Sequence, residues 1–338
     1  MSANLLAAEA LAAARRFFPS GAELRVAPVT GGANNRVWRV EAQGGPFLLK
    51  QYYQAPAPAR DRYASERAFY AYAMPRVLDA VPHALGWNDD DHAGLFAFVA
   101  GRKLWPAEVT AARVAEALEF FRALNLPPAS PPPMLPEAAE ACFSVEAHLA
   151  IVDKRIQRLR DLPPAPEDEL TEAARKFVHD ELAPAWLKIA DAVRHQLARL
   201  DSAPPARCVS PSDFGFHNAL LGDSNRLCFF DFEYAGWDDP AKTVGDFLCQ
   251  PDIPAGPVHR DQVLNAVAAM FPQDQLLPQR ARALLPVYQI KWCGIVLNEF
   301  LPVERQRRDY ALSPAAAGER RRRQLERARA ALSALAAA

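Results

Sequence analysis

Cysteine pairs are the first thing this chain of 338 residues lacks. Its five cysteines, at 142, 208, 228, 249 and 293, form no Cys-x-x-Cys unit and are odd in number. That argues against a disulfide scaffold or a cysteine zinc site and for a reducing, cytoplasmic setting. Net charge is almost absent too, at −1, so a general nucleic-acid binder is not expected. No apolar run approaches the ~20 residues of a membrane span. The apolar N-terminal stretch is interrupted by Glu9 and followed by Arg15-Arg16, whereas a signal peptide carries its charge first, so Ala7–Phe18 is expected to be an ordinary helix. Internal repeats are missing. What remains is a chain with half its residues hydrophobic, enough for a sizeable core and for two lobes.

The stretch Ser210–Asp246 organises the rest. Two short, mainly apolar runs, Asn218–Leu221 and Leu227–Phe232, flank the polar turn Gly222-Asp223-Ser224-Asn225-Arg226, which reads as a hairpin. Asp213 and Asn218 stand before or at the start of the first strand, and Asp231 at the end of the second. A hairpin brings its open ends together, so the three oxygen-bearing side chains are expected to converge. Such a set suits a hard cation such as Mg²⁺. Each residue alone would read as a solvated turn position; the ordered set is what points to chemistry.

The order Asp213-x-x-x-x-Asn218, then Asp231-Phe232-Glu233, then Asp239-Pro240 and Asp246, resembles the aminoglycoside phosphotransferase and choline kinase-like family of small-molecule kinases. The chain departs from it at Pro211 and Ser212, where the family usually has His and Gly; the family His mainly supports the loop. The resemblance implies a protein-kinase-like, two-lobe α+β fold. It gives Asp213 the acceptor hydroxyl, and Asn218 and Asp231 the Mg²⁺. It gives Lys50, ending the apolar run Phe47-Leu48-Leu49, the nucleotide phosphates, with Glu66 as its ion-pair partner. Asp246 is expected to steady the catalytic loop. Gly31 and Gly32, in Gly-Gly-Ala-Asn-Asn between two strand-like runs, can let backbone N–H groups approach a phosphate. His217, beside Asn218, is read as loop packing.

The apolar pattern agrees with two lobes. Leu24–Thr30, Arg36–Ala42, Pro46–Tyr52, Pro82–Asn88 and Gly94–Val99 read as strands, with Gly44-Gly45 a tight turn. After Gly101 the period lengthens to that of helices, for example Val114, Leu118, Phe121 and Leu124. The expected lobes are therefore 1–101, an antiparallel five-stranded sheet that binds nucleotide, and 102–338, mainly helical, with the catalytic loop and acceptor pocket. Further helices are expected over Cys142–Leu159, around Trp186–Leu200 and over Leu284–Leu301. Arg320–Arg323 reads as a solvated face.

A protein kinase fits poorly, since no Ala-Pro-Glu follows Asp231. The expected activity is transfer of the γ-phosphate of ATP (or GTP) to a hydroxyl of a small molecule, a sugar or related metabolite. The basic C-terminal third, with Arg305, Arg307, Arg308 and the cluster from Arg320, favours that over a polycation. A choline-type acceptor would need an aromatic cage, for which Trp237, Tyr288 and Trp292 are the candidates. The alternatives are a choline/ethanolamine- or aminoglycoside-type kinase and a pseudokinase-like nucleotide-binding module.

Overall fold

Alternation marks one strand of the first sheet. In β2 (Arg36–Ala42), Trp38 and Val40 are buried while Arg39 and Glu41 face solvent, the period of a half-buried strand. The structure, a computed structural model, describes residues 3–29, 35–54, 60–131, 134–197, 205–302 and 317–336. With β1 (Arg25–Pro28), β3 (Gly45–Gln51), β4 (Ala84–Asn88) and β5 (Ala93–Ala97), β2 forms a five-stranded antiparallel sheet of order β1-β2-β3-β5-β4. Ala42 pairs with Gly45, so the β2–β3 turn is made by Gln43 and Gly44, one residue earlier than the glycine pair indicated. Gly44 has φ +100°, which a side chain would resist.

Helix α1 (Ala3–Arg15) lays Ala10, Ala13 and Ala14 on the sheet, in one cluster with Trp38, Val40 and Leu49. Helix α2 (Arg62–Val77) starts at Asp61, whose carboxylate accepts the Ala64 N–H at 2.9 Å, an N-cap bond. It buries Glu66, Phe69, Tyr70 and Ala73.

The helical part begins after a two-residue strand, β6 (Gly101–Arg102). This strand pairs with β8 (Ala219–Gly222), which pairs with β9 (Leu227–Phe229). The hairpin read from the sequence thus gains β6 as a third strand. A Cβ at Gly101 would lie 2.7 Å from the Leu221 carbonyl oxygen, so only glycine lets the strands pass this closely. A second pair, β7 (Cys208–Ser210) with β10 (Gly236–Asp238), sets Ser210 opposite Gly236 and so fixes the loop that follows Ser210.

The helices are α3 (Ala111–Asn125), α4 (Val145–Arg160), α5 (Glu169–Phe177), α6 (Ala183–Leu197), α7 (Pro240–Cys249), α8 (Arg260–Met270), α9 (Leu277–Val296) and α10 (Ala317–Ala336). Helix α9 is the hub, in contact with α4, α6, α7 and α10. A Cβ on Gly245 of α7 would sit 2.3 Å from the Tyr288 ring, so α7 and α9 touch almost backbone to ring. Helix α5, capped by Asp168, was not foreseen; it runs into α6 through a single π turn, Val178–Leu182. Helix α9 starts seven residues before the expected Leu284, with Pro278 in its first turn, where no N–H is needed. Among the described residues, no helix is long and apolar enough to cross a membrane.

Candidate active site

Lys50 closes the site from the sheet side. The β3 register sets it opposite Gly94 on β5, and its ammonium donates to Glu66 Oε2 at 2.6 Å and to Asp231 Oδ1 at 2.5 Å. The other Glu66 oxygen accepts the Phe232 N–H at 3.0 Å. Glu66, buried on α2, therefore holds both the lysine and the main chain beyond β9. Burial opposes the charge on Lys50, but Asp231, Glu66 and Glu233 outweigh it and hold the ammonium protonated, above its ordinary value. Asp231 lies two residues beyond β9, not on the strand, and has φ +69°. Such a backbone in a non-glycine residue is kept only where its surroundings fix it.

Asp213 sits in the loop that follows β7. Ser212, before it, also has a positive φ, +65°. Its N–H donates to Ser210 Oγ at 3.0 Å, which lies 2.9 Å from Thr243 Oγ1. Beneath the loop is a buried lysine, Lys242. It reaches Asp238 at 2.6 Å, Ser212 Oγ at 3.4 Å and Asp246 at 3.6 Å. Asp246 also accepts Lys291 at 2.7 Å. Its link to the catalytic loop thus runs through Lys242, which the sequence reading did not single out.

His217 Nε2 meets Asp213 Oδ1 at 3.0 Å, and the Asn218 amide donates to the Asp213 carbonyl at 2.9 Å. Burial would raise the Asp213 carboxyl, but His217, Asn218 and Lys291 together lower it below the ordinary value. With its Nδ2 so used, Asn218 has its amide oxygen left to meet a cation. The Phe230 N–H donates to the Asn218 carbonyl at 3.0 Å, which ties Asn218 to the chain next to Asp231. Among the described residues, no group of three or more His, Cys, Asp or Glu side chains could hold a metal. One amide oxygen and one carboxylate, with phosphates and water completing the shell, are the kind of donor set Mg²⁺ takes. The structure thus brings Lys50, Glu66 and Asp231 together at one point, and Asp213, His217 and Asn218 beside the same hairpin. Gly31 and Gly32 lie outside the described residues.

The family model described as the phosphotransferase enzyme family matches residues 25–284. The chain belongs to this family. It is a small-molecule kinase. No curated protein matches the sequence. Among solved structures, a choline/ethanolamine kinase family protein from Mesorhizobium loti is similar over 96% of this chain and 99% of its own, with 18% identity and a TM-score of 0.55. A spectinomycin phosphotransferase in complex with ADP and spectinomycin covers 91% and 93%, with 13% identity and a TM-score of 0.57. A thermostable mutant of an aminoglycoside phosphotransferase, in a ternary complex with ADP and hygromycin B, covers 96% and 97%, with 14% identity and a TM-score of 0.57. At these identities the likeness shows a common fold.

The polar residues on α9 and just beyond it are mostly buried and engaged: Lys291 with Asp246, and Glu299 with Arg320. Of the three aromatics considered for a cage, Tyr288 is closed in the core with its hydroxyl 2.6 Å from His148 Nδ1, and Trp237 lies near Arg207. Trp292 stands edge-on to the His217 ring at 5.9 Å. Lys103, just past β6, was missed. Its side chain is exposed overall, but its ammonium donates to the His217 carbonyl and lies over the Phe230 ring, and local desolvation of that ammonium lowers it to about 8 despite the charges of Asp231, Asp252 and Asp213. Nothing in its local sequence marks it; only the β6–β8 pairing carries it there.

Proposed function

We propose that this kinase transfers the γ-phosphoryl group of ATP, or of GTP, to a hydroxyl of a small neutral or anionic acceptor, sugar-like in class. The nucleotide would lie in the cleft between lobes 1–101 and 102–338. The observation that carries the reading is Lys50, shared between Glu66 of the first lobe and Asp231 of the second. An ammonium fixed there is positioned to neutralise phosphate charge, and phosphoryl transfer asks for little beyond positioning and electrostatics. Asn218 and Asp231 would hold Mg²⁺, which would supply positive charge against that of the phosphates. Gly31 and Gly32 would cradle phosphate through their N–H groups. Asp213, on its lowered carboxyl, would orient the acceptor hydroxyl and take its proton.

The acceptor class rests on charge. Lys103 brings a cation to the loop beside Asp213, and the nearby Asp252 is paired with Arg327 at 2.6 Å. A polycation would find few unengaged acids there. The basic C-terminal segment contributes less than its sequence promised, because Arg320 and Arg321 are paired with Glu299 and Asp168; Arg305, Arg307 and Arg308 lie outside the described residues. A cytoplasmic site fits the five free thiols. The test is phosphate transfer from Mg·ATP to a panel of sugars, amino alcohols and aminoglycosides. Transfer to sugars is expected. Fast transfer to a kanamycin-like polycation with none to sugars overturns the acceptor class. Mg·ATP binding with no turnover on the panel or on water favours the pseudokinase-like alternative.

A further inference from the structure

His217 is held too carefully to be loop filler. It lies in the single 3-10 turn Phe216–Asn218, four residues after Asp213. Its Nε2 is 3.0 Å from Asp213 Oδ1. Trp292 of α9 meets the ring edge-on, with centroids 5.9 Å apart and planes at 83°. The other ring nitrogen, Nδ1, is buried and makes no hydrogen bond among the described residues. It packs instead on Gly215, where an added Cβ would fall 2.7 Å from Nδ1 and 3.0 Å from Gln250 Cγ. Gly215 is fully extended, at φ 169°, so its backbone does not require glycine. The ring beside it does. The His217 carbonyl, in turn, is pinned by the Lys103 ammonium.

This arrangement has a consequence for Asp213. Its carbonyl is taken by Asn218 and its Oδ1 by His217. The Asn218 amide also favours the ionised carboxyl, but its hydrogen bond is directed at the Asp213 main-chain carbonyl, and the hydrogen bond that fixes the carboxylate is the one from His217 to Oδ1. A carboxylate held at one oxygen has a fixed plane, and the other oxygen has a defined direction in which to accept a proton.

We propose that His217 is a positioning residue for this kinase: its Nε2–H holds Asp213 Oδ1, which leaves Oδ2 as the oxygen that receives the acceptor hydroxyl. Trp292 and Gly215 fix the ring from its edge and its Nδ1 side. The proposal rests on the role given above to Asp213. No proton leaves His217 in this scheme; the acceptor proton goes to Asp213 Oδ2 as the hydroxyl oxygen bonds to the γ-phosphorus, while the bond from that phosphorus to the β–γ bridging oxygen breaks and its electron pair leaves with ADP.

The test uses the full chain and follows ADP formation from Mg·ATP, with water as acceptor and with any sugar the panel shows to be phosphorylated. His217→Leu removes the donor and keeps most of the bulk. It is expected to lower kcat on the order of 10²-fold, the cost of a misplaced catalytic group, with KM for Mg·ATP unchanged. His217→Gln places an amide N–H at similar reach and is expected to recover most of the loss. Gly215→Ala should lower kcat by displacing the ring, but have little further effect in the His217→Leu background. Thermal melts confirm that each variant folds. Equal loss in the Leu and Gln variants, or full kcat in His217→Leu, overturns the proposal. Full turnover in Asp213→Ala would instead bring down the reading beneath it.

Discussion

Asp213 and Asp231 are the same amino acid in opposite settings. Asp213 faces His217 and Asn218, while Asp231 faces Lys50. If Asp213 serves the acceptor, Asp213→Ala should leave Mg·ATP affinity nearly intact while turnover falls roughly 10²–10⁴-fold. If Asp231 holds the cation, Asp231→Ala should weaken Mg-dependent nucleotide binding as well, because the phosphates lose a counter-charge. Asn218→Ala should do so more mildly, since a neutral amide leaves. Calorimetric titration with Mg·ATP separates them, and equal loss of binding in both aspartate variants refutes the division. Ser212 gives a second expectation at this scale. Its left-handed backbone costs a non-glycine residue roughly 1–2 kcal/mol, and its Oγ gains only a 3.4 Å contact with Lys242. Ser212→Gly should be neutral or stabilising in urea unfolding, and Ser212→Val clearly destabilising; the reverse order would remove the strain argument. That Lys50, Glu66 and Asp231 meet, and that Asp213 and Asn218 stand together beside the same hairpin, was legible in residue type and order. His217 was not: its reach to Asp213 depends on a loop shape that no local propensity fixes. Lys103 arrives through a strand pairing made over a hundred residues later.

Among the elements, type was legible and boundaries were not. The five strands followed from short runs rich in Val, Leu and aromatics, but α9 begins at Leu277, where Arg280 in its second turn reaches Asp239 at the start of α7, a tertiary contact invisible to local pattern. Least visible was the charge buried between helices. Arg280 of α9 makes two bonds, at 2.9 and 3.0 Å, to Asp239, the N-cap of α7, and His148 of α4 meets the same carboxylate at 3.2 Å. Three helices therefore share one buried acid. Burial opposes charge on His148, but Cys142 and Asp239 outweigh it and raise the ring to about 9. The folded value is above the ordinary one near 6.5. This contribution to stability is therefore complete below about pH 6.5 and is lost as pH rises through about 9. The melting temperature should fall across that window in the parent chain and fall less in His148→Gln. Parallel profiles for the two proteins would show that His148 carries no charge in the folded state.

In the whole molecule, the two lobes are fastened beside the site, and the fastening accounts for residues the motif left over. Glu233, fully buried where protein kinases have the glycine of Asp-Phe-Gly, accepts the Asn35 amide at 2.6 Å and lies 3.6 Å from Arg62. Arg60, just before α2, donates to three carbonyls of the second lobe: Glu233 at 3.1 Å, Glu137 at 2.7 Å and Ala235 at 2.7 Å. None of this follows from the sequence, because carbonyl acceptors leave no side-chain trace. Arg60 bonds to neither Asp213 nor the Asn218 and Asp231 proposed to hold Mg²⁺, so its loss should act on lobe closure and not on chemistry. Hydrogen bonds to a charged group contribute about 1.5–3 kcal/mol each, and partial replacement by water reduces the sum. Arg60→Ala is therefore expected to lower the unfolding free energy by about 2–4 kcal/mol. A smaller closed fraction should raise the apparent Kd for Mg·ATP in proportion, while kcat at saturating nucleotide stays close to that of the parent, because bound nucleotide restores closure. Calorimetry, denaturant unfolding and saturation kinetics on the one variant check all three. A kcat loss at saturation with Kd unchanged would place Arg60 in the chemistry and remove the clasp.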